Sequence, residues 1–399
     1  MDSRFWGLLI HIICTHSRPI SPQTVAMDFF SRTTTLLSFL QNHYSSGPED
    51  GVLDSLSSLV HLQHLKVVPW DEQYESQPPL EGVCSNTLPS LTKLTSLYFK
   101  DLSYENLAQL GGLTSLQELY LDGADDDIAV GPITVPGMVL PASLTKLALR
   151  LPVETGILSL APTELKDLQV AGYVEGPAEG PGSLLSYLCG LKHLVRLWLD
   201  PEDYWPPAGP EYSGITASSS LVSLGMSQNK LPSGIWPHVF PATSKLLLLT
   251  SLSFVDFVDE FAGLPATWTM NDLNRLVGCC PNLCKLTLCP VQHGCHVAYM
   301  SELTGLTCLE VMYADAGGDV LQDSMGWLAT VTQLQDLTVT LEEQDVSIAA
   351  LLPLTKLTGL TQLSCCLHDE NHDNEWLCDF TTKVRQSLIV FTCGRWLVA

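Results

Sequence analysis

Along this chain apolar residues return in one spacing, L-x-x-L-x-(L/V/F): two positions three apart, then a third two residues on. The third positions are Val67, Phe99, Leu121, Leu149, Val170, Leu199, Met226, Phe254, Leu288, Val311, Val339 and Cys365. The intervals run from 21 residues (Leu149 to Val170) to 34 (Phe254 to Leu288). A closing period of two sends both apolar residues to one face, so each unit predicts a short strand. A unit this small cannot bury its own apolar edge and must stack on its copies, which forces a solenoid. Parallel stacking of about twelve strands, spaced by about 4.8 Å, predicts a curved sheet roughly 50 Å across with one exposed inner face.

The segments between strands set the rest of the architecture. Intervals of 21 to 23 residues leave room only for turns or a 3₁₀ stretch. Longer ones offer helices: residues 271–277, with Asn271 and Asp272 as cap-type residues and Leu273, Leu276 and Val277 at helical spacing, then 321–331 and 346–352. The Pro- and Gly-rich stretches 172–182 and 201–214 read as loops. The domain organisation expected is a leader or disordered stretch over 1–26, an N-terminal cap over 27–52, the repeat array over 53–367 and a C-terminal cap or tail over 368–399.

The clearest copies, LTSLQELYL (113–121), LKHLVRLWL (191–199) and LTGLTCLEV (303–311), resemble the leucine-rich repeat superfamily over about residues 53–367. Leu221, Leu224, Met226, Asn229 and Leu231 meet the family pattern most fully, and the resemblance implies that Asn229 turns the chain and satisfies neighbouring backbone groups. Most other units have Gly, Pro or Asp nearby in place of that asparagine, so the ladder is irregular. The resemblance implies an α/β solenoid with turns or short helices on the convex side. It also implies a non-enzymatic scaffold that binds a protein on its concave face. Residues 280–288 (CPNLCKLTL) are similar to the cysteine-containing repeat of F-box proteins, which makes a ubiquitin-ligase substrate receptor an alternative. Residues 1–52 lack the L-P-x-E-(L/I) entry of an F-box. A secreted or receptor-type ectodomain is a further alternative.

Charge narrows the partners. The chain holds 43 Asp and Glu against 19 Lys and Arg, a formal net of -24. Phosphate backbones and anionic membranes need clustered cations, so nucleic acid is excluded, and a protein with a basic patch is the expected mate of a monomeric scaffold. Thirteen cysteines, including the adjacent pairs Cys279-Cys280 and Cys365-Cys366, form no paired framework, and no Asn-x-Ser/Thr acceptor occurs. Both favour a reducing compartment. Cytoplasmic placement follows, with cytoskeletal or axonemal association among the settings of similar intracellular proteins. Residues 5–14 (FWGLLIHIIC) form an apolar run too short to span a bilayer, without the strongly basic start of a signal peptide.

Candidate chemistry is sparse. No phosphate-binding glycine loop and no H-E-x-x-H occurs. His368 and His372 sit four apart, but Asp369 stands where a zinc hydrolase needs Glu. Cys279, Cys280, Cys284, Cys289, His293, Cys295 and His296 crowd 18 residues, yet without paired C-x₂₋₄-C spacing. The repeat explains Cys280 and Cys289 as small apolar fillers flanking a strand. No catalytic residue, cofactor or metal is therefore expected. The run 122–127 (DGADDD) lacks calcium-loop spacing and reads as a solvated acidic edge. The register also fixes which side chains face outward: Tyr98, Tyr120, Trp198, Thr287, Glu310 and Thr338 between the strand leucines, with Ser96, Glu118, Lys146, Arg196, Lys285 and Asp336 before them. Lys100, Asp122, Arg150 and Asp200 lie just past the strands. Exposed aromatics amid charge suit binding hot spots. The candidate partner-binding set is Tyr98, Tyr120 and Trp198 as anchors, Arg150 and Arg196 for orientation, and Asp122 and Asp200 to meet basic groups.

Overall fold

The computed structural model describes residues 10–12, 37–41, 60–69, 88–100, 110–123, 139–151, 153–175, 183–202, 205–227, 231–255, 268–291, 297–313, 318–341, 351–367 and 390–394. The chain divides into two compact units, Met1–Leu194 with Asp200–Tyr204 and Val195–Leu199 with Trp205–Ala399.

In the first unit, β1 (Ile10–Ile12) pairs antiparallel with β2 (Leu37–Gln41). From β2 the order is parallel through β3 (His64–Pro69), β4 (Ser96–Lys100), β5 (Glu118–Asp122) and β6 (Lys146–Arg150). The two-residue β7 (Val153–Glu154) and β6 both pair with β8 (Asp167–Glu175). β9 (Arg196–Glu202) crosses the division, its residues up to Leu199 belonging to the second unit. There, β10 (Ser223–Ser227), β11 (Ser251–Val255), β12 (Lys285–Val291), β13 (Cys308–Tyr313), β14 (Asp336–Leu341), β15 (Gln362–Leu367) and β16 (Val390–Gly394) follow β9 in parallel. Each of the third positions read from the spacing lies on its own strand, from Val67 on β3 to Cys365 on β15. Each unit thus has an α/β solenoid fold of the leucine-rich repeat type. β2 and β16 add one in-register strand beyond each end of that series, Phe39 opposite Val67 and Cys393 opposite Cys365.

The spacing has a plain structural cause. The two leucines three apart are the ends of one turn, closed by N–H donation from the second to the carbonyl of the first: Leu94 to Leu91 at 2.9 Å, Leu116 to Leu113 at 2.9 Å, Leu306 to Leu303 at 2.8 Å. Both ends point into the core, as does every second strand residue, so Leu113, Leu116, Leu119 and Leu121 are all buried. Burying a leucine side chain contributes about 1.5–3 kcal/mol, and this stripe repeats in every unit.

Coil is joined to coil by a backbone spine. The residue before each strand offers its carbonyl to two N–H groups of the next unit: Gln63 to Thr95 and Ser96, Thr95 to Gln117 and Glu118, Gln117 to Thr145 and Lys146. The second unit repeats this through Val222, Thr250, Cys284, Thr307 and Gln335. At alternate rungs the residue is threonine, and its hydroxyl donates to the same carbonyl, from Thr95 to Gln63 at 3.0 Å and from Thr361 to Gln335 at 2.9 Å. Thr145, Thr250 and Thr307 do likewise. The fastening is thus a threonine ladder. Asn229, expected to serve as the asparagine of such a ladder, lies outside the described residues.

The returning arms follow their lengths. Short intervals hold 3₁₀ turns at Thr155–Leu160 and Val297–Glu302. Longer ones hold α1 (Leu184–Leu188), α2 (Trp236–Val239), α3 (Met270–Cys279) and α4 (Gly318–Leu328). Some expectations are corrected. The cap of α3 is Thr269, whose side chain accepts from the Asp272 N–H while the Asp272 carboxylate accepts from the Thr269 N–H at 3.0 Å. Asn271 and Asp272 are therefore inside the helix. The stretch expected as a loop from 172 begins inside β8, which continues through Gly172 at φ +90° as far as Glu175. Likewise β9 reaches Glu202, and Pro210–Gly214 forms a 3₁₀ turn whose Tyr212 is buried and donates to the Pro206 carbonyl at 2.7 Å. Residues 351–356 include a 3₁₀ turn at Leu352–Lys356, while 342–350 lie outside the described residues.

Candidate protein-binding faces of the two units

With the leucines turned inward, the intervening strand residues form an open face in each unit. On β5 the alternation is regular, Glu118, Tyr120 and Asp122 half-exposed and Leu119 and Leu121 buried. Strand register sets Tyr98 beside Tyr120 and Asp122 beside Arg150.

The first unit brings together Tyr98, Tyr120 and Asp122 of the expected set. The two rings lie 6.1 Å apart, tilted by 40°. The Tyr98 hydroxyl donates to Asp122 Oδ2 at 2.8 Å. Lys66 Nζ sits 4.6 Å from the centre of the Tyr98 ring, and Lys146 Nζ 4.9 Å from that of Tyr120. An ammonium over a ring face is attracted by the ring's quadrupole. Lys146 is also 3.6 Å from Asp167 Oδ2. Its hydrogen bond with Tyr120 and the charge of Asp167 hold its pKa above the ordinary 10.5, outweighing the opposing effect of partial burial. Ser96 Oγ donates to Glu118 Oε2 at 3.3 Å. Arg150 is exposed at the end of β6, while Ala148 on the same face is only 2% exposed. Lys66 and Lys146 as ring partners were not singled out by spacing; a cation on the strand beside each tyrosine was the available signal. The Lys100 side chain lies outside the described residues.

In the second unit, Arg196 is exposed and Trp198 half-buried on β9. The six-membered ring of Trp198 fills the space that a Cβ at Gly225 would take, with Cε3 and Cζ3 against it. Asp200, half-exposed two residues on, groups with the first unit. Thr287 corrects the expected exposure, being 3% exposed and donating to Glu310 Oε2 at 3.1 Å. Glu310 and Thr338 are half-exposed, Lys285 exposed.

The cysteine segment divides. Cys279 and Cys280 are buried at the end of α3, where the adjoining Cys279 thiol and burial both push the Cys280 thiol up. Cys284 is exposed, its thiol 3.4 Å from the Asn282 carbonyl. The Cys289 side chain and residues 292–296 lie outside the described residues, as do His368 and His372. Among the described residues no group of three His, Cys, Asp or Glu side chains is placed to hold a metal, and no helix is long and apolar enough to cross a membrane.

No protein-family model and no curated protein matches this chain. Among solved structures it is similar to a leucine-rich repeat protein of Leptospira interrogans, at 15% identity and a TM-score of 0.39, over 90% of this chain and 85% of that one.

Proposed function

We propose that the chain is a non-enzymatic, cytoplasmic scaffold whose open sheet faces bind another protein. The observation that carries this reading is the tyrosine pair of the first unit. Two half-exposed aromatic rings are each held in place by neighbours on adjacent strands, Tyr98 by Asp122 and Lys66 and Tyr120 by Lys146. Aromatic anchors fixed before encounter lose little side-chain freedom on binding, which lowers one of the costs of association. Arg150 orients the partner at the edge of this cluster. Glu118, Asp122 and Asp167 offer carboxylates beside the rings, and a net charge of -24 steers a basic protein surface toward them. In the second unit, Arg196 and Trp198 serve as a separate contact, with Asp200 beside them in the chain.

Affinity capture from native lysate tests the reading. The full chain is expected to recover a partner set that is lost with Tyr98→Ala/Tyr120→Ala, while circular dichroism stays unchanged. Equal recovery by the folded double variant would refute the tyrosine face. A Skp1-type adaptor recovered in stoichiometric amount would instead place the chain among ubiquitin-ligase receptors.

A further inference from the structure

Across β9 to β12 the open face of the second unit is arranged in two rows by the strand register. Arg196, Ser223, Ser251 and Lys285 stand side by side in the first. Trp198, Gly225, Ser253 and Thr287 stand side by side in the second. In a chain with 43 acidic and 19 basic residues, these rows hold two exposed cations and no carboxylate. Between the cations the side chains are short. The Trp198 ring leans across its row to rest over Gly225, one row along from the Arg196–Lys285 row.

The spacing of the cations selects a ligand. They are three strand steps apart, about 14 Å at the usual separation of neighbouring strands. An extended polypeptide advances about 3.4 Å per residue and sends alternate side chains to one side, so residues i and i+4 face the same way about 14 Å apart. Residue i+2 falls midway on that same side. Residue i+3 points away.

We propose that this strip docks an extended acidic segment of a partner protein, running across the strands with carboxylates at i and i+4 and an aliphatic side chain at i+2. The carboxylates meet Arg196 and Lys285, and the aliphatic residue packs on the Trp198 indole seated by Gly225. The Ser223 and Ser251 hydroxyls lie under the segment's backbone. The proposal stands on residues of the second unit and does not depend on the tyrosine pair.

Fluorescence anisotropy of the full chain with capped, labelled peptides tests it. The probe contains Glu-Thr-Leu-Thr-Glu, and its isomer of identical composition contains Glu-Thr-Leu-Glu-Thr. The first is expected to bind roughly tenfold more tightly than the isomer, and a version with Lys for both Glu not at all. Lys285→Glu, an exposed position, should weaken the probe by roughly tenfold with unchanged circular dichroism. Gly225→Val, which displaces the ring, should weaken it without disturbing discrimination against the lysine peptide. Tyr98→Ala/Tyr120→Ala should bind the probe normally, which separates failure here from failure of the tyrosine face. Equal binding of the two isomers, no binding of the probe, or indifference to Lys285→Glu would each overturn the proposal.

Discussion

On the open face of the first unit each tyrosine ring is met by an ammonium group from a neighbouring strand, whereas on that of the second unit Trp198 rests on a glycine and its nearest row holds serines. Beneath both faces the leucine turns, the carbonyl spine and the threonine rungs are the same. The difference shows where the repeat is constrained. Stacking dictates what points inward, because each coil must fit the next, but it sets no requirement on the outward positions beyond tolerance of a strand. Those positions diverge, in the first unit into carboxylates interleaved with lysines and tyrosines, and across β9 to β12 of the second into a strip with a cation at each end. On the proposed reading, recognition falls to the part of the repeat that varies.

The largest effects should test the shared half of this comparison. Leu119→Ala in the first unit and Leu286→Ala in the second each remove a fully buried strand leucine. Each is expected to lower stability by about 2–5 kcal/mol in denaturant unfolding. A loss near zero at either site would mean that the two units are not built on the same core. Smaller losses should follow from the ladder. Thr145→Val and Thr250→Val each remove a hydroxyl donated to a carbonyl that keeps its two N–H partners. About 0.5–1.5 kcal/mol is expected from each, toward the lower end because no acceptor is orphaned. Matching losses would confirm one fastening for both units.

The smallest effect sharpens the contrast between the faces. Lys146 has a folded pKa raised above its ordinary 10.5, first by its hydrogen bond with Tyr120 and then by Asp167. A raised pKa means that the charged form is favoured by folding, so its stabilisation is fully present below pH 10.5 and is lost as pH climbs through the raised value. The stability difference between the wild-type chain and Lys146→Met should therefore be constant at neutral pH and shrink above pH 10.5. A difference that instead grows with alkaline pH would contradict the Tyr120–Lys146 arrangement.

Much of this scaffold was legible in the leucines. The closing L-x-L fixed strand position and facing at once, since a shift by one residue would expose Leu97, Leu119 and Leu286, all buried. The fastening was harder to read. An asparagine ladder has a recognisable residue, but a threonine before a strand suits strands generally, so Thr95 and Thr250 carry no mark of their role in the sequence alone. At the candidate site, Tyr98 and Tyr120 were placed on the open face by alternation, because facing depends on local spacing only, whereas Lys100, Asp122, Arg150 and Asp200, expected just past the strands, lie within them. The tyrosines' partners Lys66 and Lys146 come from neighbouring strands, and cross-strand neighbours depend on register between segments more than 20 residues apart. Thr287 shows the same limit from the other side: its position faces outward, yet Glu310 on the next strand accepts its hydroxyl hydrogen and the residue is buried. Gly225 was visible only as an interruption between Leu224 and Met226; its use as a seat depends on a tryptophan one coil earlier.

The central claim is that the tyrosine pair is a binding face held ready before its partner arrives. Amide hydrogen exchange of the full chain, with and without the partner recovered by affinity capture, tests it most directly. The account predicts added protection in the peptides spanning β4 to β6, abolished by Tyr98→Ala/Tyr120→Ala. Protection confined to peptides outside these strands, and indifferent to the double variant, would contradict it.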